Sequence, residues 1–279
     1  MKRTTYIKLL ISLSSIIAGI WYFVVKDYNY KITFTNTQAP GIIYANLLQW
    51  DGQGDHIQAI TTLSKNPFSK IQQQLTLTDS IFTYRWIIER KNDTTTKVTA
   101  YIKDRKNSFI QNLQVPFYKN TFVRRNIATV ENIAKQLLQN KNYYNVSSVQ
   151  KDSTPATHCA YITLSSTLKD KASTMMKNIN TIMNYIRKNN ITITGDPFLE
   201  ITNWNIHENT ITFNFCFPIA EKETYPETNT IKFKKTTAKN ALKTTFNGNY
   251  RISDNAWYTI IDYAQTHNIA IEHLPFEIY

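Results

Sequence analysis

The sequence predicts an α+β protein: two soluble domains carried on one N-terminal transmembrane helix. Three observations predict it. An apolar run opens the chain, a set of period-two runs is closed by one long amphipathic stripe, and a segment of the C-terminal half occurs twice. A length of 279 residues suits two domains plus an accessory segment. Apolar residues at 42% and aromatics at 13% supply core material and exclude a disordered or collagenous chain. Six glycines exclude a glycine-rich nucleotide cradle repeated along the sequence.

The apolar run is Ile7 to Val25, broken only by Lys8. At 1.5 Å per residue it nearly crosses a hydrocarbon core. Lys2, Arg3 and Lys8 precede it, and Trp21, Tyr22 and Phe23 with Lys26 lie where an interfacial belt belongs. The amine end is therefore expected in the cytoplasm, although Lys26 and Lys31 on the other flank weigh against that orientation. No small-x-small cleavage site follows the run and no lipobox cysteine is present, which favours an uncleaved anchor over a signal peptide. The expectation is a single-pass protein of the inner membrane with its body on the periplasmic or extracytoplasmic side. Lys and Arg exceed Asp and Glu by 12, and five of those bases with one Asp fall in the first 31 residues, leaving about +8 elsewhere. That surplus reads as solvation, with some attraction to anionic headgroups near the anchor.

After the anchor (1–27), the first domain is placed at 28–145. Tyr30 to Thr35 alternates as a strand, and Pro40 to Trp50 puts Ile43, Leu47 and Trp50 on one helical face. Ile71 to Thr78, Ser80 to Glu89 and Lys97 to Lys103 alternate at period two, with turn-prone Thr78-Asp79 and Asn92-Asp93 between them. Phe82, Tyr84, Trp86 and Ile88 share one face. Beyond Pro116 a helix carries Ile127, Val130, Ala134 and Leu137 as a stripe whose only available partner is the sheet.

The second domain is placed at 154–279. Tyr185 to Phe198 aligns without a gap to Tyr263 to Phe276, matching Tyr, Asn, Ile, Ile, Pro and Phe. The first copy reads strand Cys159 to Ser165, helix Lys171 to Asn189, strand Phe198 to Trp204, strand Thr210 to Pro218. The second reads strand Ala241 to Phe246, helix Ser253 to Gln265 with Ser253 as N-cap, and a strand from Phe276. Two such βαββ modules joined in one curved sheet, helices on one face, leave a cleft at the pseudo-twofold axis. A last strand matching Thr210 to Pro218 is expected after Tyr279 and is lacking, so an edge-strand partner would find unpaired backbone there. Glu200 is shifted by one residue relative to Glu277, so the two carboxylates are expected on opposite sheet faces, only one of them in the cleft.

Cys159 and Cys216 fall on strands of the first copy, either as a cross-strand disulfide or as separate buried thiols. Two cysteines without CxxC spacing, and five histidines (His56, His158, His207, His267 and His273) scattered singly, offer no metal site, and no cofactor is expected. No nucleophile–His–acid set and no helix-turn-helix segment stand out, so no nucleic-acid partner is expected.

Two family resemblances attach to these patterns. The strand, helix, antiparallel strands and long closing helix of 28–145 resemble the START/polyketide-cyclase-like (SRPBCC) helix-grip superfamily, in order of elements and not in motif. Its members commonly hold an apolar cavity, so Phe82, Tyr84 and Trp86 either line a pocket or fill a core. Gly248-Asn249-Tyr250, Ala256-Trp257 and Pro275-Phe276-Glu277-Ile278-Tyr279 resemble the GyrI-like small-molecule-binding domain, also called the AraC-type effector-binding domain. That resemblance implies a glutamate at the floor of an aromatic cleft that meets cationic, lipophilic ligands, with Glu277 the acid and Tyr250 and Trp257 its walls. It implies as well that some relatives hydrolyse electrophilic small molecules with that glutamate as base, in which case Tyr250 or Tyr161 would donate or orient a proton. The expected function is therefore non-enzymatic, membrane-anchored binding of a small amphipathic or cationic molecule. A hydrolase using Glu277, or a protein-interaction scaffold, is the alternative.

Overall fold

The computed structural model describes residues 2–52, 57–222, 224–226 and 228–279; His56 lies outside them, as do the side chains of residues 2–5 and 24. The chain divides into two compact units, Met1–Gln139 and Asn140–Tyr279.

The first unit opens with α1 (Lys2–Ile20), which runs into a π-helical turn, Trp21–Val25. The window Tyr6–Phe23 is long and apolar enough to cross a membrane, and none of it is buried against the protein. Next come β1 (Tyr30–Asn36), α2 (Pro40–Gln49), β2 (Ile57–Asn66), β3 (Lys70–Leu77), β4 (Ile81–Asn92), β5 (Thr95–Asp104), α3 (Ser108–Gln114) and α4 (Thr121–Asn140). The sheet is antiparallel in the order β1-β5-β4-β3-β2. Phe82, Tyr84, Trp86 and Ile88 are all buried on one face with Ile71, Leu75, Val98, Ala100 and Ile102, and α4 lays Val123, Val130, Ile133 and Leu137 on that cluster.

This core also contains paired polar groups. Trp86 Nε1 donates to Gln73 Oε1 at 2.9 Å, Gln73 Nε2 donates to the Leu47 carbonyl at 3.0 Å, and the Tyr84 hydroxyl donates to Asn126 Oδ1. Phe82, Tyr84 and Trp86 are core residues here, each at most 3% exposed. Two elements escape a reading by periodicity. β2 is an edge strand whose register shifts at Ile57/Ala59 and Thr62/Ser64 break its alternation, and α3 turns polar residues inward.

The second unit contains β6 (Tyr144–Val146), β7 (Gln150–Ser153), β8 (His158–Thr167), α5 (Lys171–Lys188), β9 (Phe198–Asn205), β10 (Thr210–Pro218), β11 (Lys232–Lys235), β12 (Asn240–Lys243), β13 (Phe246–Gly248), α6 (Asp254–Thr266) and β14 (Phe276–Ile278). The main sheet has the antiparallel order β11-β8-β10-β9-β14. The repeat is visible in its hydrogen bonds. Asn190 and Asn268, equivalent in the two copies, both take positive φ, 50° and 55°. Ile191 N donates to the Ile186 carbonyl at 3.0 Å and Ile269 N to the Ala264 carbonyl at 2.8 Å, so each helix ends in the same left-handed turn.

The copies meet where β9 pairs β14. Phe198 faces Ile278 and Phe276 faces Glu200, a reciprocal register that defines a local twofold. The second copy departs from expectation in its first strand. Ala241 to Phe246 is split into β12 and β13, which pair β7 and β6 outside the main sheet. β7 is fully exposed and carries no apolar residue, which is why its pairing with β12 is invisible to a hydrophobic pattern.

Candidate functional site

The register at the β9–β14 seam divides the side chains of the second unit between two faces. Leu199 and Glu277 oppose each other and face the helices; Phe198, Glu200, Phe276 and Ile278 point the other way. The two glutamates are thus on opposite faces, with Leu199 in the place equivalent to Glu277.

On the helix face Glu277 is enclosed by the protein's own groups. Lys171 Nζ, from the first turn of α5, lies 2.7 Å from Oε1, with Lys171 and Glu277 side chains only 1% and 10% exposed. Ser253 donates to the same oxygen at 3.0 Å, Lys171 donates to Ser253 at 2.8 Å, and the Tyr279 hydroxyl donates to Oε2 at 2.6 Å. The ammonium also stands 4.3 Å over the Trp257 ring. Ser253 therefore spends its hydroxyl on this network and makes no cap bond to α6, contrary to the N-cap role its position suggests. Trp257 is buried and packs edge-on against Trp204 at 5.3 Å. Tyr250 is exposed in a 3-10 turn, and its carbonyl lies 2.9 Å from the Ser253 hydroxyl, whose one proton is shared between that carbonyl and Glu277. Burial of Glu277 does demand a cation, and Lys171 is that cation.

Asp254 joins the same neighbourhood. Burial pushes its carboxyl up to about 6, against the pull of Lys171 and with a further push from Glu277. A carboxyl that holds its proton more tightly when folded, here from an unfolded value of 3.8, stabilises the fold progressively as pH falls through 6. Glu200, Glu89 and Asp152, held below their usual range by cationic partners, withdraw their contributions only at more acidic pH. Thermal unfolding is accordingly expected to shift upward between pH 7.5 and 5, by on the order of 1–2 kcal/mol, and downward below about pH 4. Asp254→Asn flattens the first limb; a wild-type midpoint that falls steadily from pH 7.5 contradicts this assignment.

The opposite face carries the other candidate group. Tyr161, Thr163 and Ser165 of β8, Cys216 and Asn214 of β10, and Phe198 and Glu200 of β9 share it, and the Phe198 and Phe276 rings stack at 4.6 Å across the seam. Glu200 Oε2 accepts from Asn214 Nδ2 at 2.8 Å and from Lys234 of β11, and Asn214 Oδ1 accepts from Thr163 at 2.9 Å. Lys234 stands 4.9 Å over the Tyr161 ring. Burial alone would raise the Glu200 carboxyl, yet Lys234 and Asn214 hold it below the usual carboxylate range.

Lys234 and Glu200 reach toward each other over β8 and β10, above Cys159 and Cys216. Both cysteines are free thiols and fully buried. A thiol–thiol hydrogen bond lowers the Cys159 pKa, and the same bond with burial raises that of Cys216. A hollow of about 170 Å³ adjoins, lined by His158, Cys159, Ile219, Tyr225, Phe233, Lys234 and Lys235. A second, of about 310 Å³ at the ends of β8, β9 and β10, is lined by Ser, Thr, Asn and Ile and contains no charged group.

Of the four residues singled out from sequence, Glu277 and Trp257 meet around Lys171, Tyr250 joins them through its carbonyl, and Tyr161 lies on the other face under the Lys234 that pairs with Glu200. Lys171 and Lys234 were not foreseen. Lys171 had a signal, because it falls on the apolar stripe of α5 with Met175, Ile182 and Ile186. Among the described residues no group of His, Cys, Asp and Glu is placed to hold a metal ion.

The chain matches no family profile and no curated protein. Among solved structures it is similar to the di-domain ARO/CYC StfQ from the steffimycin biosynthetic pathway, at 9% identity and a TM-score of 0.25, covering 68% of this chain and 85% of that one. The di-domain ARO/CYC BexL from the BE-7585A biosynthetic pathway gives 8% identity and a TM-score of 0.29 over the same shares.

Proposed function

We propose that the chain is a single-pass membrane-anchored protein whose second unit binds a small amphipathic or cationic molecule on the helix-free face at the seam between its two repeats. In this reading α1 spans the inner membrane and both units lie on its outer side. The carrying observation is the half-exposed Glu200 carboxylate, joined through Lys234 to the Tyr161 ring, with the half-buried Phe276 ring stacked on buried Phe198 beside it and a hollow at the far side of Lys234. A carboxylate among aromatic faces attracts a lipophilic cation through charge pairing and through cation–π contacts of about 0.5–2 kcal/mol per ring. Kinship with the GyrI-like domain belongs to the same proposal, supported by the reciprocal β9–β14 register and the matched helix ends.

Glu277 does not take the acid's role in this proposal. Both its oxygens already accept hydrogen bonds from Lys171, Ser253 and Tyr279, which also removes the motive for a hydrolase in which it activates water. Lys234 is the internal competitor of a bound cation, and this gives the test a sign. In ligand-induced thermal shifts of the full chain in detergent, with a panel of lipophilic quaternary ammonium and phosphonium ions, Lys234→Met tightens binding. Glu200→Gln weakens it by about tenfold or more, as loss of a charged partner should. Affinity indifferent to both substitutions contradicts the proposal.

A further inference from the structure

α3 is built inside out. Its polar residues Gln111 and Asn112 are buried, whereas Phe109, Ile110 and Leu113 are exposed, and the segment after it adds exposed Phe117, at 84%, and Tyr118. A soluble amphipathic helix does the reverse. The inversion is fixed by hydrogen bonds. Asn29, just past the anchor and 2% exposed, donates to the Ser108 carbonyl at 2.9 Å and to Asn112 Oδ1 at 2.8 Å, and accepts from Asp104 N at 2.8 Å. Buried Asp104 accepts from the backbone of Lys106 and Asn107 and from Gln111 Nε2, at 3.0, 2.9 and 3.1 Å. The apolar side chains are therefore held outward by a satisfied polar interior.

The patch is continuous with the end of the apolar helix. The Tyr22 hydroxyl donates to the Asn112 carbonyl at 3.0 Å, and the Phe23 and Phe109 rings lie 5.6 Å apart. Exposed Arg105, Lys106 and Lys119 flank it, and the sequence from 105 to 120 contains no Asp or Glu. Exposed aromatics rimmed by cations at the mouth of a spanning helix match the interface of an anionic bilayer, where rings enter the headgroup region and bases meet phosphates.

We infer that α3 and the segment through Tyr118 form a second membrane contact, seating the first unit on the anionic phospholipid surface of the bilayer that α1 crosses. The inference rests on α1 being a membrane span. Benzoylphenylalanine placed singly at Phe117, at Ile16 within α1, or at Leu138 near the far end of α4, about 26 Å along that helix, separates the two. The full chain in nanodiscs containing phosphatidylglycerol is irradiated and lipid adducts are measured by mass. Adducts at 16 and 117, with 117 at least fivefold above 138 and reduced when phosphatidylcholine replaces the anionic lipid, are expected. Adducts at 16 without 117, or cross-links from 117 to a second copy of the chain, overturn the second contact and leave the anchor standing. Adducts at 117 without 16 keep the contact and remove the span; adducts at neither overturn both.

Discussion

Replacing Lys171 by Ala is expected to cost the second unit about 3–5 kcal/mol, because it strands the Glu277 carboxylate in a site 10% exposed with no other cation among the described residues bonded to it. Lys171 is 1% exposed and contacts Ser253, Glu277 and the Trp257 ring, so its removal breaks the junction of α5, α6 and β14 at once. β14 spans only Phe276–Ile278, too short to stay on β9 by its ladder alone once that junction is lost. The double variant Lys171→Met, Glu277→Gln removes both charges and should recover a large part of the loss, since a buried pair contributes little net stability while a single buried charge is costly. Chemical unfolding of the full chain in detergent measures both. A single variant as stable as wild type removes the central role given to this ion pair.

Trp86→Ala should destabilise the first unit by a similar amount, about 3–5 kcal/mol. Its ring is fully buried between β3 and β5, tilted against Tyr84 at 5.4 Å, and its Nε1 holds Gln73, which in turn holds the Leu47 carbonyl near the end of α2. Truncation thus opens a void and frees a buried amide. Had these aromatics lined an open ligand pocket, the same change would enlarge an existing space and cost much less. A midpoint shift corresponding to under about 1 kcal/mol would therefore contradict the packed core and point to a cavity.

Much of this architecture was legible because it rests on period and repetition. Alternation from Phe82 to Ile88 gave the buried face of β4, and the duplicated Asn190 and Asn268 marked two equivalent helix ends. The one-residue offset between Glu200 and Glu277 placed them on opposite faces, because the side-chain period of a strand is two. What stayed hidden depends on partners distant in sequence. That Glu277 meets Lys171 across 106 positions is a fact of tertiary packing, which brings the start of α5 to β14, and no local pattern encodes it. The same holds for Lys234 and Glu200, because β11, KFKK, carries too little apolar character to announce a strand. α3 goes unread for a different reason. Phe109, Ile110 and Leu113 at helical spacing look like a stripe for a core, and only the burial of Gln111 and Asn112 shows which side faces the protein.

The decisive measurement is where a bound cation sits. A photoactivatable lipophilic ammonium ion, cross-linked to the full chain and mapped by peptide mass, is predicted to label Tyr161, the Phe198–Glu200 segment or Phe276, and to lose that labelling in Glu200→Gln. Labelling confined to residues 250–257, abolished by Glu277→Gln and untouched by Glu200→Gln, would contradict the assignment of the face that carries Glu200.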